Sequence, residues 1–589
     1  MKLVIAEKPS AAQSYAKALN ITAKKSGYFE GNGYIITWCI GHLAGLADAA
    51  AYDEKYAVWK YEDLPILPEK WQFAINKGKE NQYKVVSGLM NRNDITEIIN
   101  GCDAGREGEL IFRFVYNMCG CKKPYFRLWI SSMEESAIRE GFNNLKDGRE
   151  YDNLYNSALC RAKADWIIGI NATRLFTSLY RKHLNIGRVQ TPTLAMIAER
   201  DSKISMFRKE KYYTVEIDGG NIKAVSDKIS DKDEAQNLQA ACHERQAVCI
   251  SAVKEKKKTG APKLFDLTTL QREANRIFGY TAKQTLDYAQ SLYEKKLITY
   301  PRTDSRYLTD DMHNTVIKIV HIASKFAPFS NCTDFKPDTF CLFNNEKVSD
   351  HHAIIPTAEI ENISLAEIPN GESNILHLIM CKLLCAVNSP YEYETITAVL
   401  ECGGVQFTAK GKIILFEGWK NIEQLFKRYI HSDTDRAEDV FCITKGETVT
   451  VSSEVKEGYT SPPKAFTEDT LLSSMETAGA AETTDEAERK GLGTPATRAA
   501  IIEKLVQTGF AERKGKSIVA THNGISLVSV LPEKLTSPIL TSDWENNLAE
   551  IAKGNYPPEQ FMKGIEDLTR ELVTTYSFIT DEDRAIFPR

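Results

Sequence analysis

Three acids in this chain stand where phosphate chemistry would need them. Glu7 closes the short apolar run 3–6, and Asp103 follows the apolar run 95–99 within Asp103-Ala104-Gly105-Arg106-Glu107-Gly108-Glu109. Asp103 and Glu107 lie four apart across a glycine-containing turn from strand to helix, so the spacing predicts that their side chains converge. Clustered carboxylates there suit Mg²⁺, which takes oxygen ligands and keeps several waters, and such an ion would neutralise phosphate charge. Taken singly, each acid could equally complement a helix dipole.

A tyrosine supplies the second half of the chemistry. Tyr300 sits in Leu297-Ile298-Thr299-Tyr300-Pro301-Arg302-Thr303-Asp304-Ser305, after an amphipathic helical pattern over 288–296. Pro301 holds the preceding residue extended. A phenol can attack phosphorus, but a pKa near 10 means that it needs cationic help. Arg302, two residues on, points to the same side of an extended chain and could contact a phosphate oxygen.

The elements that must position these groups follow from hydrophobic periodicity. Residues 1–150 alternate strands and helices, an α/β domain with a mainly parallel sheet whose sites lie beyond the strands' carboxyl ends. From 151 to about 200 the pattern is helical. β-Branched alternation at 211–227 and 247–253 returns at 394–415 and 440–455, around a largely helical insert over about 264–392. Each set of strands alone is too small for a stable sheet, so one β domain interrupted by a helical domain accounts for both. Ser461-Pro462-Pro463 reads as a linker before a last helical stretch, and the lysine-rich run 254–258 as a solvated hinge.

Composition narrows the class. Over 589 residues, 43% hydrophobic and 26% charged residues describe a globular protein, and a net charge of −5 disfavours a uniformly basic nucleic-acid coat. The most apolar stretch, 375–387, is broken by His377 and Lys382, and the N-terminus meets charge too early for a signal peptide. The 13 cysteines include no CxxC pair, which argues against a zinc ribbon or disulfide framework and for a reducing cytoplasm. The nearest approach to a nucleotide-binding P-loop, 509–517, has five residues where the motif has four and reads better as a hairpin turn.

Glu7-Lys8-Pro9 with Asp-x-Gly-x-Glu at 103–107 resembles the toprim domain shared by topoisomerases, some primases and some nucleases; Gly105 stands where the usual pattern has Asp, removing one possible metal ligand. Tyr-Pro-Arg-Thr-Asp-Ser at 300–305 resembles the active-site signature of type IA DNA topoisomerases. Segments 165–174, 187–194, 350–357 and 491–498 resemble further elements of that family, in its order, and the compact motif set favours the bacterial topoisomerase III branch.

The resemblance implies a toroid of four parts: a toprim domain over 1–150, a helical base with single-strand DNA binding over 151–210 and 461–589, a β-rich linking domain over 211–260 and 393–460, and a helical domain over 261–392 carrying the tyrosine. It implies that Tyr300 attacks one DNA strand, leaving a 5′-phosphotyrosyl bond and a free 3′-hydroxyl, so that strand passage and religation need no ATP. Lys8 and Arg302 would stabilise charge on the phosphate, Glu7 would act as general acid or metal ligand, Asp103 and Glu107 would hold Mg²⁺, and His351 would act near the phosphate. Arg161, Arg174, Arg188, Gln190, Thr494, Thr497 and Arg498 would bind the strand. The expected protein is a monomer acting on single-stranded DNA or single-stranded regions, with RNA as a further substrate and a helicase as a partner left open. The rival readings are a toprim-type nuclease or primase, and a DNA-binding homologue that has lost activity.

Overall fold

The computed structural model describes residues 1–130, 133, 135–331, 338–348, 351–431, 441–479 and 491–587; Asp350 and the charged loop 483–490 lie outside these. The first strand, Lys2–Ala6, is a continuous apolar run because both its faces are covered: Leu3, Val4, Ile5 and Ala6 have no exposed surface. It runs parallel to Tyr34–Trp38 on one side and Glu97–Gly101 on the other, within a seven-stranded sheet. The register pairs Ala6 with both Trp38 and Gly101, so the three strands end level. Helix Pro9–Ala18 leaves the first of these ends and helix Arg106–Met118 the second.

The β-rich part is a closed six-stranded barrel, ordered Lys211–Asp218, Lys223–Ser226, Val405–Phe416, Tyr391–Cys402, Arg245–Thr259, Thr448–Tyr459. Closure leaves no sheet edge to pair with another chain. The run 254–258 is not a hinge loop. It is the end of strand Arg245–Thr259, paired from Lys254 against Ile396 to Lys258 against Glu392. That end projects past the barrel core and is exposed throughout, so the residues keep a ladder but lose the apolar alternation that marks a strand.

Between the barrel's strands lie helices Leu267–Phe278, Ala282–Glu294, His313–Ala323 and Asn370–Ala386, around one apolar core. The first two start in capping boxes, Asp266 with Thr269 and Thr281 with Gln284. Beyond Glu294 the chain runs antiparallel to residues 353–357: Thr299 N–H donates to the Ile355 carbonyl and Thr357 N–H to that of Leu297, both at 2.9 Å. This pairing brings Tyr300 and His351 to one edge. The remaining helices, led by Asp152–Tyr180, Gln190–Ser205, Ile539–Lys553 and Pro558–Thr575, share another core in which Leu175, Phe176, Leu194 and Leu548 have no exposed surface. At the P-loop-like sequence stands a hairpin, Ala511–Lys514 with Ser517–Ala520.

Candidate active site

Because strands Lys2–Ala6 and Glu97–Gly101 end side by side, the residues just past them meet. Lys8 is the centre of the meeting. Its ammonium donates to Asp103 Oδ2 at 2.9 Å and to Tyr300 Oη at 2.5 Å, and stands 3.1 Å from Glu7 Oε1. It also lies 4.1 Å from the centroid of the Tyr300 ring. His351 completes the group, its Nε2 at 3.3 Å from Asp103 Oδ2 and its ring 4.3 Å from that of Tyr300. Residues 7, 8, 103, 300 and 351 thus converge from two parts of the fold.

Burial sets the electrostatics. It pushes the Tyr300 phenol up to about 12, with Lys8 pulling the other way. Burial and the neighbouring Asp103 charge raise the Glu7 carboxyl above the usual range, against the pull of Lys8. Asp103 is the opposite case: burial disfavours its charge, yet Lys8 and His351 hold it far below the usual carboxylate range. Burial likewise works against the Lys8 ammonium, but Asp103, Glu7 and Tyr300 together hold it well above an ordinary lysine. Two carboxylates side by side with their affinities for protons driven apart are suited to different tasks, one fixed as an anion and one able to carry a proton. His352, beside His351, has Nδ1 donating to the Ala353 carbonyl at 2.9 Å. Burial pushes it down to about 4, so it is neutral at physiological pH.

What holds Asp103 in place has no sequence signature. Arg127, 1% exposed, donates to the carbonyls of Asn100, Cys102 and Leu128 at 3.1, 2.6 and 3.0 Å and to that of Asp103 at 2.6 Å. Its Nε stands 3.2 Å from Glu109, which also accepts from Asn100 and Arg113. One guanidinium therefore ties down the strand end that presents Asp103. Gly108 is required in the same place: a Cβ there would lie 2.0 Å from the Asp103 carbonyl oxygen.

The expected carboxylate triad does not assemble. Glu107 turns to His42, 3.2 Å from its Nε2, and to Arg161, 3.6 Å from its Nη1, while the space between Glu7 and Asp103 is taken by Lys8. Among the described residues no group of three or more His, Cys, Asp or Glu side chains could hold a metal ion. Glu107 stands in the first turn of its helix, where His42 and Arg161 engage it.

Arg302 is exposed and forms no ion pair among the described residues. The expected strand-binding residues divide by burial. Arg188, 5% exposed, donates to Asp165 at 2.9 Å and Glu545 at 3.3 Å. Arg498, 3% exposed, donates to the Leu492 carbonyl and the Thr268 hydroxyl, and Arg174 to the Tyr56 carbonyl while stacking on Trp59. Each of the three is bonded to protein groups in this arrangement. Gln190 is buried, with Nε2 lacking a hydrogen-bond partner among the described residues. Thr494 and Thr497 form the capping box of helix Pro495–Gln507.

The chain matches two family models, one described as DNA topoisomerase over residues 149–563 and one as toprim domain over residues 2–133. It is 40% identical to the DNA topoisomerase 3 of Bacillus subtilis (strain 168) over 592 residues, 97% of this chain and 81% of that one. The DNA topoisomerase 3 of Bacillus cereus (strain ATCC 10987 / NRS 248) is 40% identical over 593 residues, with the same coverage. The full-length topoisomerase I of Thermotoga maritima shares the fold, with a TM-score of 0.73 at 22% identity over 98% of this chain and 91% of that one.

Proposed function

This chain belongs to the type IA DNA topoisomerase family, and from that premise we propose that Tyr300 is the nucleophile of a strand-cleaving isomerase of the topoisomerase III kind. The observation that carries the assignment is the Lys8–Tyr300 hydrogen bond of 2.5 Å, in a site flanked by acids whose proton affinities are driven apart. Tyr300 Oη forms a bond to a backbone phosphorus while the bond from that phosphorus to the 3′-oxygen breaks. Glu7, with its raised pKa, gives the leaving oxygen its proton. The phenol's own proton leaves to solvent, and Lys8, with Arg302, steadies the charge that develops on phenolate and phosphate. Asp103 keeps Lys8 charged and aimed, and His351 hydrogen-bonds near the phosphate. Religation runs the same steps backwards, so the energy of the phosphoester is kept and no ATP is spent.

The toprim fold is a metal-binding one. In the arrangement described here its acids are engaged by Lys8, His351, His42 and Arg161 and do not fit an ion. Mg²⁺ enters the proposal only as an ion that Asp103 and Glu107 would hold if a strand drew those cations away, and no step above runs through it. The reading also divides the chain into a toprim unit over 1–150, a base over 151–210 and 461–589, a linking barrel over 211–260 and 393–460 and a tyrosine unit over 261–392, arranged as a ring. Single-stranded DNA in the bacterial cytoplasm is the substrate proposed, and a monomer is the acting form.

Negatively supercoiled plasmid, incubated with divalent ion and without nucleotide, tests the activity. Relaxed topoisomers are expected from the protein and not from a Tyr300→Phe variant; nicked or linear plasmid in place of relaxed circles would favour a toprim nuclease instead.

A further inference from the structure

Where the toprim unit meets the helical base, three guanidiniums face three carboxylates. Glu545, on helix Ile539–Lys553, lies at the hub: its carboxylate is 3.0 Å from Arg106, 3.3 Å from Arg188 and 3.8 Å from Arg161. Asp165 stands 2.9 Å from Arg188 Nε and 3.9 Å from Arg161, and Glu107 stands 3.6 Å from Arg161. The six differ sharply in exposure. Side chains of Arg106, Arg188 and Glu545 are 2%, 2% and 4% exposed, whereas those of Asp165 and Glu107 are 42% and 45%. Glu545 is therefore a fixed internal counter-charge, and the two outer acids are the members that solvent, or a ligand, can replace.

The geometry of Asp165 is that of a phosphate. Its two oxygens lie along one edge of the Arg188 guanidinium, Oδ1 at 2.9 Å from Nε and Oδ2 at 3.5 Å from Nη2, the side-on approach that a phosphate diester also makes. Arg161 next to it is charge-balanced at 3.6–3.9 Å by all three acids, yet its Nη1 is buried without a hydrogen-bond partner among the described residues. A buried donor of that kind is costly unless something fills it.

We propose that Asp165 is an internal stand-in for a strand phosphate: it covers the outer edge of Arg188 in the absence of DNA and swings out when a backbone phosphate takes that edge and the vacant donor of Arg161. The inference rests on the proposed binding of a single strand to this face. It gives Asp165 a regulatory task. Every strand must displace a carboxylate to bind, so affinity is lowered and release is hastened, as an enzyme that lets go of its product strands requires. The competing reading, in which Asp165 merely fixes Arg188 for binding, predicts the opposite sign.

Binding of a fluorescent single-stranded oligonucleotide, followed by anisotropy over a range of salt with no divalent ion, separates the two. Asp165→Asn is expected to bind about two- to fivefold more tightly than the parent at low salt, by removing one partly exposed competing charge. Its plot of log affinity against log salt should be steeper, by up to about 0.7, because the parent returns a cation to the displaced carboxylate and the variant does not. Asp165→Glu keeps the charge and should match the parent, and a thermal melt of each variant confirms folding. Equal or weaker binding by Asp165→Asn with an unchanged slope overturns the proposal while leaving the strand-binding reading intact. Failure of the parent itself to bind the oligonucleotide would overturn both.

Discussion

Removing the Lys8 ammonium should cost cleavage about a hundredfold, because it is the cation that faces the Tyr300 phenol. With the Tyr300 phenol at about 12, only about one molecule in ten thousand carries the phenolate at pH 8, a cost of about 5 kcal/mol. Lys8, at 2.5 Å from Oη, is the group that eases this ionisation. An opposite charge so close shifts such an equilibrium by about ten- to a thousandfold. The middle of that range, about 2.7 kcal/mol, is also what a single preorganised donor to a developing oxyanion contributes. Lys8→Ala should therefore form covalent complex about a hundredfold more slowly under single-turnover conditions, with oligonucleotide saturating so that binding does not limit. Lys8→Arg, which keeps a cation near the phenol, should recover part of the rate. A Lys8→Ala rate within threefold of the parent would refute the argument, since nothing else described around Tyr300 supplies a cation at hydrogen-bonding distance.

Three further outcomes follow from the same site. Glu7 has a pKa raised by burial and by Asp103, so the folded state binds its proton more tightly than the unfolded one. That stabilisation is fully present below the unfolded value and is lost as pH rises through the folded one. Glu7→Gln, which mimics the protonated form, should raise the melting temperature at pH 7.5 while slowing cleavage, and a lower melting temperature would contradict the sign. Gly108→Ala must open the 2.0 Å approach to the Asp103 carbonyl, which should destabilise the toprim unit by about 1–3 kcal/mol in denaturant unfolding and reduce cleavage at least tenfold. Arg127→Met leaves several strand-end carbonyls buried without their donor and takes one of two guanidiniums from Glu109; a loss of about 3–5 kcal/mol is expected by the same measurement.

Local sequence carries what depends on neighbours in the chain. The apolar run before Glu7, and that before Asp103, announce strands buried on both faces, and an acid just past such a strand lies in the crevice of an α/β domain. Tyr300 is legible because a helix ends before it and Pro301 follows. The groups that sequence does not reveal act across long separations or on backbone atoms. Arg127 binds carbonyls, which every residue possesses, and Glu545 meets Arg106 from 439 positions away. His42, which engages Glu107, comes from a different loop. The same holds for Glu107: spacing along the chain does not show that His42 and Arg161 engage it. Arg174, Arg188 and Arg498 suit strand binding by type, but type alone does not show which protein groups their donors also engage.

The central claim is that Tyr300 forms a covalent bond to a DNA strand, and trapping that bond tests it most directly. A single-stranded oligonucleotide labelled at its 3′ end is incubated with the protein and then denatured with detergent. The account predicts label that migrates with the protein, attached through Tyr300 as identified in the digested peptide, and none with Tyr300→Phe although that variant still binds the oligonucleotide. Label that never accompanies the protein, or that accompanies Tyr300→Phe as well, would contradict it.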